Sequence, residues 1–262
     1  MTNENAVKGM SIKKKALIVL CALVSVVVIV ATSVLATVAY LTSSAAVSNV
    51  FTIGNVTMTM TETKVDADGK KLASGEQVDT NTYHLVNDKT YDKDPTIFIQ
   101  KGSENSYLFV LVRNDISAIA AAGENMSPPD PTKYSIAYQM ALNGWAKYTK
   151  ASTGWIYVYV GFDEDGKTNV NLDTDPSKIE ENKDTEGKII FDYPPVAVGV
   201  GEYKLFDSFT VAPKVELNKY GAAKITLTAV AIQNTGFNGD VAKAWAAVVD
   251  TYPYIHTGGT SN

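Results

Sequence analysis

Alternation of apolar and polar side chains dominates the chain beyond residue 50. Val56, Met58 and Met60 alternate with Thr57, Thr59 and Thr61, the period of two that marks a half-buried strand. Just upstream, Phe51 and Ile53 hold the opposite parity, so the apolar phase slips at Gly54-Asn55. A one-residue slip sends side chains to the other face, which predicts a bulge or a sheet corner at that point. Asp66-Ala67-Asp68-Gly69 then ends the strand with turn residues. Thr96–Gln100 is a short strand after Pro95, turned by Lys101-Gly102-Ser103 into Tyr107–Val112. That second run, YLFVLV, is apolar at every position, so both of its faces are expected to be covered. Asp115 is placed to cap a short helix running to Ala122 and closed by Gly123. Pro128, Pro129 and Pro131 mark a loop.

Trp155–Phe162 again alternates, with Trp155, Tyr157 and Tyr159 on one face and Ile156, Val158 and Val160 on the other. Residues 163–187 are polar, acidic and rich in turn formers, a surface excursion. Ile189–Phe191, Tyr203–Val211 and Lys224–Ile232 supply the remaining strands, and the last (KITLTAVAI) is apolar enough for an internal position. Asp240 caps a final helix whose Val241, Ala244, Trp245 and Val248 fall at i, i+3, i+4 and i+7, one apolar stripe. The pattern predicts a mainly β fold, a jelly-roll-type β-sandwich with two or three short helices.

The first forty residues follow another pattern. Lys8, Lys13, Lys14 and Lys15 precede an uncharged run from Ala16 to Tyr40, and small residues close it. A basic flank, an apolar core and a small-residue end are the three parts of a secretory signal. Thr37 and Ala39 suit a cut after Ala39, and Ser44 and Ala46 offer a second one after Ala46. The run is also long enough to span a bilayer as a retained anchor. Residues 1–39 are thus read as a signal helix, 40–50 as an N-terminal arm, 51–251 as one domain and 252–262 as a flexible tail. Contact with a membrane is expected only through residues 16–40, before cleavage.

Charge and cysteine content narrow the function classes. Without residues 1–39, Lys plus Arg falls from 23 to 19 and Asp plus Glu from 28 to 27, a net charge near −8. Such a surface repels phosphates, and no lysine-rich stripe offsets it, so nucleic-acid binding is not expected. Arg113 is the only arginine, which disfavours bidentate phosphate or carboxylate clamps. Cys21, the only cysteine, lies inside the signal, so the remaining chain has no disulfide and no thiolate site.

Catalytic constellations are scarce. His84 and His256 are the only histidines, without an H-E-x-x-H helix, a G-x-S-x-G elbow or a phosphate loop. No enzymatic activity and no cofactor are expected. Asp66 with Asp68, and Asp163 with Asp165, are weak calcium candidates. Calcium takes six to eight oxygens, and both runs are explained more simply as Asp-Gly hairpin turns. Asp173, Asp175, Glu180 and Glu181 form a further acidic patch, read as solvated surface. Trp155, Tyr157 and Tyr159 form an aromatic ladder that suits a carbohydrate platform, although aromatic strand faces more often pack in cores.

The junction ATVAYLTSSAAVSNVFTIGNVTMTMTET resembles that of the TasA and camelysin (CalY) family, exported biofilm-fibre and cell-surface proteins of Gram-positive bacteria processed by the alternate signal peptidase SipW. Asn49, Phe51, Gly54, Asn55 and Val56 match that family's first strand. Tyr91-Asp92-Lys93-Asp94-Pro95 with Lys101-Gly102-Ser103 resembles its second block. Thr228-Ala229-Val230-Ala231-Ile232-Gln233 with Ala244-Trp245 resembles its last. The insert around 163–187 and Leu41, where an aromatic residue is usual, depart from the pattern.

The resemblance implies a secreted jelly-roll subunit that forms matrix fibres by donor-strand exchange. Its partners would be further copies of itself and a minor fibre or anchor protein. Leu41, Ala45 and Val47 share a parity with Phe51 and Ile53, so the arm is suited to lie along an open sheet edge of a neighbour. Two alternatives remain open: a membrane-retained or wall-associated monomer that binds a partner, and a camelysin-like metalloprotease.

Overall fold

The computed structural model describes residues 42–43, 48–170, 195–221, 223–237 and 239–251. The signal with its cut sites at Ala39 and Ala46, arm residues Leu41, Ala45 and Val47, the acidic patch at 173–181, the expected strand 189–191, His256 and the tail 252–262 lie outside the described residues.

Two sheets face each other across one core. The five-stranded sheet runs in the order β2 (Ser48–Ile53), β13 (Ile225–Gln233), β8 (Ser106–Asn114), β10 (Gly154–Tyr159) and β9 (Trp145–Ala151). The four-stranded sheet runs β11 (Gly201–Lys204), β7 (Thr96–Ile99), β3 (Met58–Thr63) and β4 (Gln77–Val78). Two small pairs flank them: β1 (Thr42–Ser43) with β5 (Tyr83–His84), and β6 (Thr90–Asp92) with β12 (Ser208–Thr210). Among the described residues every strand pairing is antiparallel except β2 with β13. Among the described residues the α-helices are α1 (Ile136–Leu142) and α2 (Val241–Thr251). It is a mainly β sandwich with short helices, as the apolar pattern predicts.

Strand β8 shows why an unbroken apolar run occurs. Leu108, Val110 and Val112 enter the core between the sheets, together with Met58 and Met60 of β3 and Ile97 and Ile99 of β7. Tyr107, Phe109 and Leu111 face the other way, into a second cluster with Val241, Ala244, Trp245 and Val248 of α2. The Trp245 ring lies 5.0 Å from that of Phe109 and 5.7 Å from that of Tyr148. Asp240 caps this helix through a hydrogen bond donated by the Lys243 main-chain N–H, 3.0 Å. Covering both faces of β8 therefore takes a sheet on one side and a helix on the other.

The phase slip at Gly54 is a sheet corner. Phe51 and Ile53 pack against the helix-side cluster, whereas Val56, Met58 and Met60 enter the inter-sheet core. The chain leaves the five-stranded sheet at Ile53 and joins the four-stranded one at Met58.

Several local expectations give way. No helix runs from Asp115 to Ala122: residues 115–119 form turns, and Ala120 bridges to Val211. The Asp115 carboxylate accepts from the Lys224 main-chain N–H at 3.2 Å instead of capping a helix. Ala121 then donates its N–H to the Thr210 carbonyl, which draws the chain into an extended pairing. The Tyr203–Val211 strand is two strands, β11 and β12, because Leu205 and Phe206 are both buried and break the alternation. Helix α1 follows the proline loop, capped by Ser135 Oγ, which accepts from the Tyr138 N–H at 3.2 Å. Strand β9 (WAKYTKA) has a mixed pattern and is not foreseen by periodicity.

Candidate assembly edge

Among the described residues strand β2 ends the five-stranded sheet, and its register with β13 runs from Ser48 opposite Leu227 to Ile53 opposite Ile232. Val50 packs on the inter-sheet core, and Phe51 and Ile53 on the helix-side cluster. The strand thus buries side chains on both faces while hydrogen-bonding to residues far along the chain. Thr42 and Ser43 pair with His84 and Tyr83. The described parts of the 40–50 arm therefore run along β5 and β13 of their own chain.

The corner behind β2 is held tightly. Gly54 has φ +89°, and a Cβ there would stand 2.5 Å from Gln233 Oε1. That region favours glycine, which has no side chain to clash. Gln233 Oε1 accepts from the Asn55 N–H at 3.1 Å, and the Asn55 carbonyl accepts from the Glu104 N–H at 2.9 Å. Gly54 and Asn55 thus fix where the first strand leaves the body of the domain.

The acidic turns use their carboxylates locally. Asp66 Oδ1 accepts from the main-chain N–H groups of Asp68 and Lys70, both at 2.9 Å. Asp163 Oδ1 accepts from those of Asp165 and Lys167, at 3.0 and 2.8 Å. The Asp-x-Asp-Gly-Lys sequence thus builds the same loop twice. Asp68 also pairs with Lys89 Nζ at 3.0 Å. Among the described residues no three His, Cys, Asp or Glu side chains gather as a metal site. His84 is exposed on β5, and its carbonyl accepts from the Tyr91 hydroxyl at 2.6 Å.

The aromatic ladder divides. Tyr157 belongs to the core, and Tyr159 packs edge-on between Trp145 and Tyr203, each at 5.2 Å. Trp155 is half-buried, with Lys147 Nζ 4.6 Å from its ring centroid.

A buried ion pair was not anticipated. Glu62, 3% exposed, and Lys93, 1% exposed, meet at 2.6 Å. Glu62 continues the inward parity of Met58 and Met60, so a carboxylate at an apolar position was the available signal. Its Oε1 accepts from the Asn81 N–H at 2.9 Å, and Asn81 bridges the Val65 N–H and the Thr63 carbonyl. Burial pulls the Lys93 ammonium below its ordinary pKa, against the Glu62 charge that raises it. Burial also pushes the Tyr83 phenol far up, reinforced by the charges of Glu62, Asp94 and Asp92. Burial would raise Asp94, but hydrogen bonds from Thr63 and Lys71 prevail and hold it below the usual carboxylate range. The Asp92-Lys93-Asp94 run thus ties three sites together: Asp92 to Lys70, Lys93 to Glu62 and Asp94 to Lys71.

No protein-family model, no curated protein and no solved structure matches this chain.

Proposed function

We propose that this chain is a secreted structural subunit that assembles head to tail by giving its first strand to the next copy. The observation that carries this reading is the parallel edge pairing of β2 with β13, which joins the domain through the Gly54-Asn55 corner. The hydrogen bonds and side-chain contacts that β2 makes with its own β13 are available from the β13 of another copy. Exchange then costs chain and association entropy rather than contacts, and head-to-tail addition propagates as a filament. The resemblance to the TasA and camelysin family, and an acidic chain without cysteine beyond residue 39, support the same reading.

The test is a reversible lock. Val50 and Ala229 are register partners, so a Val50→Cys/Ala229→Cys protein starting at Tyr40 can be closed on itself by oxidation. Negative-stain images are expected to show fibres from the unaltered and the reduced protein, and monomers from the oxidised one. Fibres formed while the intramolecular bond is intact would defeat strand exchange. Deleting residues 40–50 is expected to leave soluble monomers.

A further inference from the structure

Toward the β9 end of the large sheet, a cleft of about 470 Å³ is lined by residues of β8, β9 and β10, of the 114–122 segment and of the start of α1. That volume is in the range of small-molecule sites, roughly 300–1,000 Å³. One wall carries the half-buried indole of Trp155, steadied by Lys147. Asn114, Asp115, Ser117 and Thr153 surround it. Among the described residues no hydrogen-bond donor reaches the buried Asn114 Oδ1, a condition that a ligand hydroxyl would relieve. Asp115 uses one carboxylate oxygen on the Lys224 N–H. The lining also includes Ala120, Ala121, Ala122 and Ala137, whose small side chains take up little of the space.

The chemistry of this lining selects a ligand class. A metal ion would find a single carboxylate, short of the six to eight oxygens calcium takes. A phosphorylated ligand would meet one ammonium with Asp115 among the same lining residues. An acyl chain would desolvate an amide, a carboxylate and two hydroxyls without replacing their hydrogen bonds. A pyranose ring meets each demand. Its C–H face packs on an aromatic ring, and its hydroxyls both donate and accept. Asp115 accepts, and Ser117, Thr153 and Asn114 both donate and accept.

We propose that this cleft binds a pyranose unit of a neutral saccharide, with Trp155 as the packing surface and Asp115 and Asn114 as polar partners. The site is independent of strand exchange, since neither β2 nor β13 lines it.

Trp145 and Trp245 are 0% and 7% exposed, so a fluorescence change on adding sugar reports Trp155. The intact protein is titrated with maltohexaose, cellohexaose and xylohexaose, followed by fluorescence and calorimetry. At least one is expected to give a saturable response. Trp155→Phe should weaken it at least tenfold, and Ala137→Phe, which fills the cleft from α1, should abolish it, with each variant's thermal melt confirming that it folds. Absence of saturable binding to all of these sugars overturns the proposal. So does binding that survives unchanged in either folded variant.

Discussion

Replacing Lys93 by Met removes the cation from the buried pair while keeping most of the side-chain volume. Glu62 would remain 3% exposed, with the Asn81 N–H as its one remaining described hydrogen bond. Breaking such a pair by deleting one partner costs about 3–5 kcal/mol. With a urea slope of about 2–3 kcal/mol/M, the unfolding midpoint should fall by roughly 1–2.5 M. The double variant Glu62→Gln/Lys93→Met removes both charges, and replacing a whole buried pair by neutral groups is often nearly neutral. Most of the lost stability should therefore return. Urea unfolding followed by the fluorescence of buried Trp145 and Trp245 measures all three proteins. If the single variant costs less than about 1 kcal/mol, or if the double is no better than the single, Glu62 and Lys93 are not coupled as a buried pair.

Gly54→Ala forces a side chain into positive φ and onto Gln233; a cost of about 1–3 kcal/mol is expected, and an unchanged melting temperature would contradict the corner geometry. Asp94, held below the usual carboxylate range, adds stability at pH above the unfolded carboxyl value of about 4 that is lost as pH falls through its lower folded value. Asp94→Asn should accordingly lower stability at neutral pH, and the gap to the unaltered protein should close on acidification, as read from melts across pH. Asp66→Ala removes two hydrogen bonds at a turn and should cost about 1 kcal/mol, equally with and without calcium chloride; a calcium-dependent melting rise abolished by this variant would instead make Asp66 a ligand.

Much of the architecture was legible because burial leaves a periodic mark. The doubly apolar run of β8, the i, i+3, i+4, i+7 stripe of α2 and the phase slip at Gly54 each report a local rule obeyed by the whole fold. The expected helix at 115–122 failed because a local cap signal competed with a cross-chain partner: Asp115 is taken by Lys224, more than one hundred residues away. Strand β9 escaped notice because its alternation is interrupted by a register shift between Ile156 and Tyr157 of its neighbour. The pair of Glu62 and Lys93 lay hidden for another reason. Pattern reading assigns charged residues to the surface; the inward parity of Glu62 is a local sign of burial, but nothing in the sequence names Lys93 as its partner. The cleft beside Trp155 arises from alanines on a segment distant in sequence, so the ladder alone did not show which of its rings lines an open space.

The parallel pairing of β2 with β13 also orders the events of folding. Strand β8 lies between β13 and β10, so one side of its most apolar stretch has no permanent neighbour until Ile225–Gln233 has been made. Neither can β2, present from the outset, find its own partner until then. A sheet closed by its last strand has high contact order and folds late and cooperatively. During that interval YLFVLV is an exposed sticky segment, and a chain delayed before residue 225 is the form most prone to aggregate.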